Sequence, residues 1–334
     1  MANDTETVRV QYFSPDGQRQ RDLSVDDIGS ILRAQKGVLW VDFAETPPEY
    51  ARPILEDLFG LHPLAVEDAL EEKHTAKVDD WGEYLCLVFK AVALEEDQDP
   101  ELRLLELDCF LMPRCLVTYQ ARRGATVDRC WDTIRADSLL LERGAPYLLY
   151  QLLDRLMDDY MATLDALDGQ ADAIEDQLFA KPTEALLEEI FGLKRTLLRL
   201  RKSLGAQREV LSKLTRSNYA VIDRADVLYY RDIYDHLVRL HDIADTMREL
   251  AGSALDMYLS VVNNRMNDVM KTLTVITTLF MPLSFLVGFF GMNFFQPSAT
   301  MPAWTGTVSF GLTVGAMVVM PLLMFWWMRR RGLI

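Results

Sequence analysis

The sequence predicts an α+β membrane protein with an N-terminal α/β domain, a long helical stalk and two C-terminal transmembrane helices. Three observations predict this. From Thr272 to Met328 the chain has no Asp, Glu, Lys, Arg or His, and two apolar segments, Thr272–Phe290 and Val308–Met328, lie within that run. Each can cross roughly 30 Å of hydrocarbon at about 1.5 Å per residue. Upstream, residues 1–140 alternate strand-like and helix-like patterns, whereas from Pro146 onward the pattern is almost wholly helical. The chain divides accordingly into 1–140, 141–271 and 272–334.

In the first segment, Val8–Phe13, Gly37–Phe43 and Tyr84–Val92 are rich in β-branched and aromatic residues and read as strands. Leu105–Leu111 and Cys115–Tyr119 form a hairpin pattern that turns at Met112-Pro113-Arg114. Pro48–Phe59 and Pro63–Glu71 fit short helices, each with proline in its first turn. The elements imply a mixed sheet. No Gly-x-Gly-x-x-Gly or Walker pattern occurs, and no nucleophile–base set, so the chain does not read as an enzyme.

The helical segment comprises three amphipathic stretches, Tyr147–Phe179, Thr183–Ser217 and Ala225 into the first span, punctuated at Lys181-Pro182 and near Asn218. The middle stretch is basic along Lys194–Lys202 and its neighbours are acidic, which antiparallel helices with complementary faces explain. Helical throughout, Asp256–Asn293 would extend roughly 56 Å at about 1.5 Å per residue, enough for a stalk and a membrane crossing. The loop between the spans carries Asn293, Gln296, Pro297, Pro302, Trp304 and Gly306, which is turn chemistry with an aromatic at interfacial depth.

Charge sets the orientation. The chain carries a formal net charge of −15, yet residues 271–334 contain Lys271, Arg329, Arg330 and Arg331 and no acid. Both basic positions flank the spans and none lies in the connecting loop, so both termini are expected in the cytoplasm. The acidic remainder would repel nucleic acid and attract cations, although solubility alone explains an acidic surface equally well. Met1–Thr7 is polar, unlike a signal peptide. The four cysteines, Cys86, Cys109, Cys115 and Cys130, lack metal-binding spacing and read as buried free thiols suited to a reducing compartment.

One face of the first span is unusual for contact with lipid. Asp256, Ser260, Asn263, Asn267, Met270, Thr274, Thr277, Met281, Ser284 and Gly288 recur by threes and fours, and so share a face. Small residues for close helix packing are one account. A water-filled path made by symmetry-related copies accounts better for the polarity, because a single hairpin cannot enclose a pore.

The chain resembles the CorA magnesium transporters, the two-span GxN superfamily. The likeness rests on Gly291-Met292-Asn293 after the first span, on Phe280-Met281-Pro282-Leu283-Ser284-Phe285 within that span, and on His62-Pro63-Leu64-Ala65-Val66-Glu67-Asp68. Tyr147-Leu148-Leu149-Tyr150, Tyr230–His236 and Asn267–Lys271 extend it over nearly the whole chain. The resemblance implies a homopentameric funnel in the inner membrane that conducts Mg²⁺, with Co²⁺ and Ni²⁺ as further ions and Zn²⁺ as the choice of a sister branch.

It also implies roles. Gly291, Met292 and Asn293 match the selectivity filter. An amide ring at Asn293 can accept hydrogen bonds from the waters of Mg²⁺, an ion that gives up its hydration shell reluctantly. Capping of the helix end is the lesser alternative for Asn293 without the resemblance. Met270, Leu273 and Met281 match an apolar throat, which closes by dewetting, and Asp256, Asn267 and Ser284 match polar rings. Asp68 of one subunit and Asp232 of the next match a regulatory Mg²⁺ site, with Glu67, Asp154 and Asp158 nearby; on their own, these residues are ordinary surface acids. The sequence departs from the family in two places: no acid follows Asn293 in the loop, and Phe290 stands where the family usually has Tyr. The alternatives are a ZntB-like zinc transporter of the same superfamily, which Met292 in place of Ile disfavours, and a non-conducting metal-sensing membrane scaffold.

Overall fold

The structure, a computed structural model, describes residues 7–14, 19–21, 23, 25–34, 36–71, 74–94, 102–134, 140–180, 182–216, 218–292 and 307–331. They fall into two compact units, one of Met1–Phe179 with Thr183–Ala254 and one of Ala180–Pro182 with Leu255–Ile334.

The first unit contains a seven-stranded mixed sheet in the order β2-β1-β3-β7-β6-β5-β4. Its strands are β1 (Val8–Phe13), β2 (Arg19–Arg21), β3 (Val38–Ala44), β4 (Lys77–Asp80), β5 (Leu85–Leu94), β6 (Leu102–Leu111) and β7 (Cys115–Gln120). Among the described residues only β3 and β7 pair in parallel, with Val41 opposite Val117; the β6–β7 hairpin turns where Met112 N–H reaches the Cys115 carbonyl at 2.8 Å. The central strands β3 and β7 are buried along their whole length, as expected of strands covered on both faces. Gly37 opens β3 at φ 73°, and a Cβ there would stand 2.1 Å from the Phe13 carbonyl, so only glycine fits.

One face of the sheet is covered by α1 (Val25–Ala34), α2 (Pro48–Pro53), continued by a π turn at Ile54–Leu58, and α3 (Pro63–Glu71). Ile28, Leu55 and Val66 pack there on Val10, Val41, Phe43 and Val117. The other face meets α4 (Ala125–Ile134), α5 (Leu140–Ala180) and α6 (Glu184–Arg216). Trp131 of α4 lies 4.6 Å from Trp40. The buried Tyr160 of α5 donates at 2.8 Å to the Lys90 carbonyl of β5 and accepts at 2.9 Å from Gln207 of α6, tying two helices to one strand. The helix α7 (Val227–Phe290) packs Tyr230, Ile233, Leu237 and Leu240 into this layer. Tyr230 closes the packing by donating at 2.7 Å to the Pro146 carbonyl.

The expected strands and helices are all present, α5 beginning earlier than the sequence suggested because it continues past a break at Gly144 (φ 84°). Four further elements, β2, β4, α1 and α4, had escaped the sequence reading. All four cysteines are buried free thiols, as expected.

The second unit holds the C-terminal part of α7 and α8 (Thr307–Arg330). Both helices are long and apolar enough to cross a membrane, and neither apolar window is buried within the chain.

Candidate functional site: an acid–imidazole cluster and a bare helix face

Asp232 and His236 stand one turn apart on α7, and both reach toward Asp154 on α5. Their ligand atoms and that of Asp154 all lie within 4.8 Å of one another, close enough for one cation. Tyr230, Ile233 and Leu237 are buried on the same turns, so the packing of α7 fixes which way the cluster faces. Asp154 is partly buried. Burial raises the pKa of its carboxyl, the charges of Asp158 and Asp232 raise it further, and His236 opposes them. Such a carboxylate is short of positive charge.

The donor chemistry fits a divalent ion. Two carboxylates suit Mg²⁺, which would keep several waters, and the imidazole adds affinity for Co²⁺, Ni²⁺ or Zn²⁺. His236 was missed as a ligand in the sequence, yet its i+4 spacing from Asp232 puts both on one face and could have found it. Of the other expected acids, Asp158 is exposed and pairs with Arg155 at 3.6 Å. Glu67 is exposed on α3. Asp68, its neighbour, accepts a hydrogen bond from the Lys77 ammonium, and His74 Nε2 lies 3.7 Å from its other oxygen.

In the second unit, Asp256, Asn267, Met270, Leu273, Met281 and Ser284 are all exposed on α7. Met270, Leu273 and Met281 keep 61%, 62% and 66% of their surface, so α8 leaves this face largely exposed, although Asn267 and Met270 border a cleft shared with its Trp327 and Met328. The Thr272 and Thr274 hydroxyls donate back to the Asp268 and Met270 carbonyls at 2.9 and 2.7 Å, which satisfies them without a neighbouring helix.

After Phe290, Gly291 N–H still reaches the Val287 carbonyl at 2.9 Å. Gly291 is not among the positive-φ glycines. Its constraint is steric, since a Cβ would stand 2.8 Å from that carbonyl oxygen. Met292 is half exposed. Asn293 lies outside the described residues, as does the loop that follows it.

A profile of the CorA-like Mg²⁺ transporter protein family matches residues 35–330. The chain is 32% identical over 292 residues to the cobalt/magnesium transport protein CorA of Thermotoga maritima, covering 86% of this chain and 83% of that one. The solved structure of the CorA magnesium transporter from Methanocaldococcus jannaschii superposes with a TM-score of 0.82 at 27% identity, over 99% of both chains. The zinc transport protein ZntB of Yersinia pseudotuberculosis is more distant, 23% identical over 92% of this chain and 90% of its own.

Proposed function

The chain belongs to the CorA-like Mg²⁺ transporter family, whose members are ion transporters rather than enzymes, and on that premise we propose that it is a homopentameric Mg²⁺ channel gated by internal Mg²⁺. Co²⁺ and Ni²⁺ are further permeant ions. Residues 1–140 form the cytoplasmic α/β domain, 141–271 the helical region and stalk, and 272–334 the transmembrane hairpin with the Gly291-Met292-Asn293 loop in the inner membrane. Lys271 and Arg329–Arg331 favour cytoplasmic placement of both termini.

The observation that carries this reading is the bare face of α7. On a membrane-length helix that is exposed over most of its surface, Asn267, Met270, Met281 and Ser284 share one side that its own hairpin leaves unburied. Polar groups at membrane depth are costly unless they face water or a partner, and five copies arranged about an axis supply the water. Asn293 forms the filter by holding hydrated Mg²⁺ through its waters, with Gly291 and Met292 shaping the turn behind it. Met270, Leu273 and Met281 form the throat that dewets on closure, and Asp256 and Asn267 concentrate cations on its cytoplasmic side.

Gating follows from like charge. Asp68 of one subunit and Asp232 of the next repel, with Glu67, Asp154 and Asp158 adding to the same negative field. Closure of that boundary needs a divalent cation between the carboxylates. The ion favours the closed arrangement only through its higher affinity for it.

His236 and the similarity to ZntB favour one second reading, a zinc transporter of the same fold. Reconstituted liposomes separate the two, with uptake of Mg²⁺, Co²⁺, Ni²⁺ and Zn²⁺ compared under a set voltage and a set pH gradient. The proposal expects voltage-driven Mg²⁺ uptake, blocked by cobalt hexammine, a ligand-locked mimic of a hydrated cation. Zinc flux that tracks the proton gradient and ignores the blocker would establish the second reading instead.

A further inference from the structure

In the second unit, at the end of the two spans that carries their basic residues, α8 buries Met328 (3% exposed) yet leaves a cleft beside it. A cleft of about 650 Å³ opens between α7 and α8, lined by Asn264, Asn267, Met270, Lys271, Thr274, Val275 and Thr278 on one side and by Trp327 and Met328 on the other. Its lining changes character along its length. Lys271 marks the last charge before the apolar run of α7, and Arg329–Arg331 follow the apolar run of α8 directly, so the antiparallel hairpin brings all four cations of residues 271–334 to one membrane level. Deeper along α7, Val275 and Thr278 present apolar and methyl surface one and two turns into the hydrocarbon.

The aromatic residues join the two zones. The Arg331 guanidinium lies 5.3 Å from the ring centroid of Trp327, which itself lines the cleft, and Arg330 lies 5.3 Å from that of Trp326. Stacking on indole holds each guanidinium at the interface while leaving its N–H donors free in the ring's plane to meet a phosphate. Asp268 is the one acid in the lining, 3.9 Å from Lys271 in an exposed pair too loose to neutralise it.

We propose that this cleft binds an anionic phospholipid, with its headgroup phosphate between Lys271 and Arg331 and one acyl chain laid over Val275 and Thr278. A free phosphate would use the cations but not the apolar floor, and a neutral lipid the reverse. The ligand therefore stabilises the hairpin where stalk and membrane meet. The inference rests on the membrane reading of α7 and α8 and is independent of which ion is carried.

The test is lipid retention by the full-length protein, purified from nanodiscs that contain phosphatidylglycerol and phosphatidylcholine in equal amounts and read by native mass spectrometry. The expected result is preferential retention of phosphatidylglycerol. Lys271→Gln and Arg331→Gln should each lower that preference about fivefold, the effect of one basic side chain on an anionic headgroup. Val275→Phe, which fills the floor and alters no charge, should lower retention of both lipids while the size of the assembly is unchanged on gel filtration. Equal retention of both lipids by the unaltered protein would overturn the proposal, as would a preference that survives all three substitutions. Release of the lipid by inorganic phosphate at matched ionic strength would assign the cleft to a free anion instead. A spontaneous disulfide between two copies of Thr278→Cys would show that a second subunit fills it, and would equally overturn the proposal.

Discussion

Lys77 of β4 donates a hydrogen bond to the carboxylate of Asp68 on α3, and also reaches Asp79 at 3.1 Å. Burial alone would lower the pKa of Lys77; the hydrogen bonds to Asp68 and Asp79 and the charges of both acids outweigh it, so the pKa is raised and the ammonium stays charged. Asp68, proposed as half of an intersubunit Mg²⁺ site, is thus already held by a cation of its own chain.

Lys77 and Mg²⁺ compete for that carboxylate. A partly exposed ion pair of this kind is worth about 0.2–1 kcal/mol, which is at most about a fivefold change in apparent affinity. Lys77→Gln should therefore shift Mg²⁺ protection of the stalk from protease to concentrations up to about fivefold lower. Asp68→Asn should move it the opposite way. An unchanged midpoint in both variants removes Asp68 from the sensor.

The acid cluster makes a prediction in which the sign matters. Asp154 is held above its ordinary pKa by burial and then by Asp158 and Asp232. A carboxyl raised in the fold costs stability when ionised. That cost is absent below its unfolded pKa and fully present above its folded one. Asp154→Asn should raise the melting temperature slightly at neutral pH in EDTA, and should abolish most of the further rise that Co²⁺ produces in the unaltered protein. His236→Ala should weaken Co²⁺ more than Mg²⁺, because imidazole is a poor ligand for the harder ion. Calorimetric titration with the two metals reads the difference, and equal losses would mean that His236 is only packed beside the acids.

The parts of this site that were legible in sequence are those fixed by local periodicity. The polar face of α7 follows from a 3.6-residue repeat, and the structure leaves that whole face exposed. The long strands were legible because β3 and β7 are mostly apolar and β-branched or aromatic, and β1 places Val8, Val10 and Phe13 in the core. Short or polar elements were not. The strand β4 reads Lys-Val-Asp-Asp, and only its ladder to β5 makes it a strand. The hold of Lys77 on Asp68 depends on that strand, so it was invisible for the same reason. The cluster of Asp154 with Asp232 joins α5 to α7, and tertiary packing alone brings them together.

The cysteines test the packing of the sheet. Cys86, Cys109, Cys115 and Cys130 are all buried. Desolvation pushes the Cys86 and Cys130 thiols up to about 12 each, and those of Cys109 and Cys115 rise as well. Thiolate is the reactive form, so the folded protein at pH 8 should give almost no colour with a disulfide reagent. All four thiols should react promptly in guanidinium. Rapid reaction of one native thiol would mean that its strand, or α4 in the case of Cys130, opens locally.

The filter prediction turns on two neighbouring residues with different constraints. Asn293→Ala removes an amide from each subunit of the proposed pore, so the assembly should keep its size while Mg²⁺ uptake falls to background. Gly291→Ala works by another route. Gly291 adopts no left-handed conformation, so the substitution need not strain φ; the added methyl meets the Val287 carbonyl at 2.8 Å, and backbone must yield. The end of α7 must then shift, which would displace the proposed amide ring that follows it. Gly291→Ala should accordingly lower flux and weaken block by cobalt hexammine together, because both depend on the placement of the ring. Asn293→Gln keeps the amide one methylene farther out and should retain partial flux with altered preference among Mg²⁺, Co²⁺ and Ni²⁺. Normal uptake by a correctly assembled Asn293→Ala protein would sink the filter assignment and leave the throat at Met270 and Met281 as the selective element.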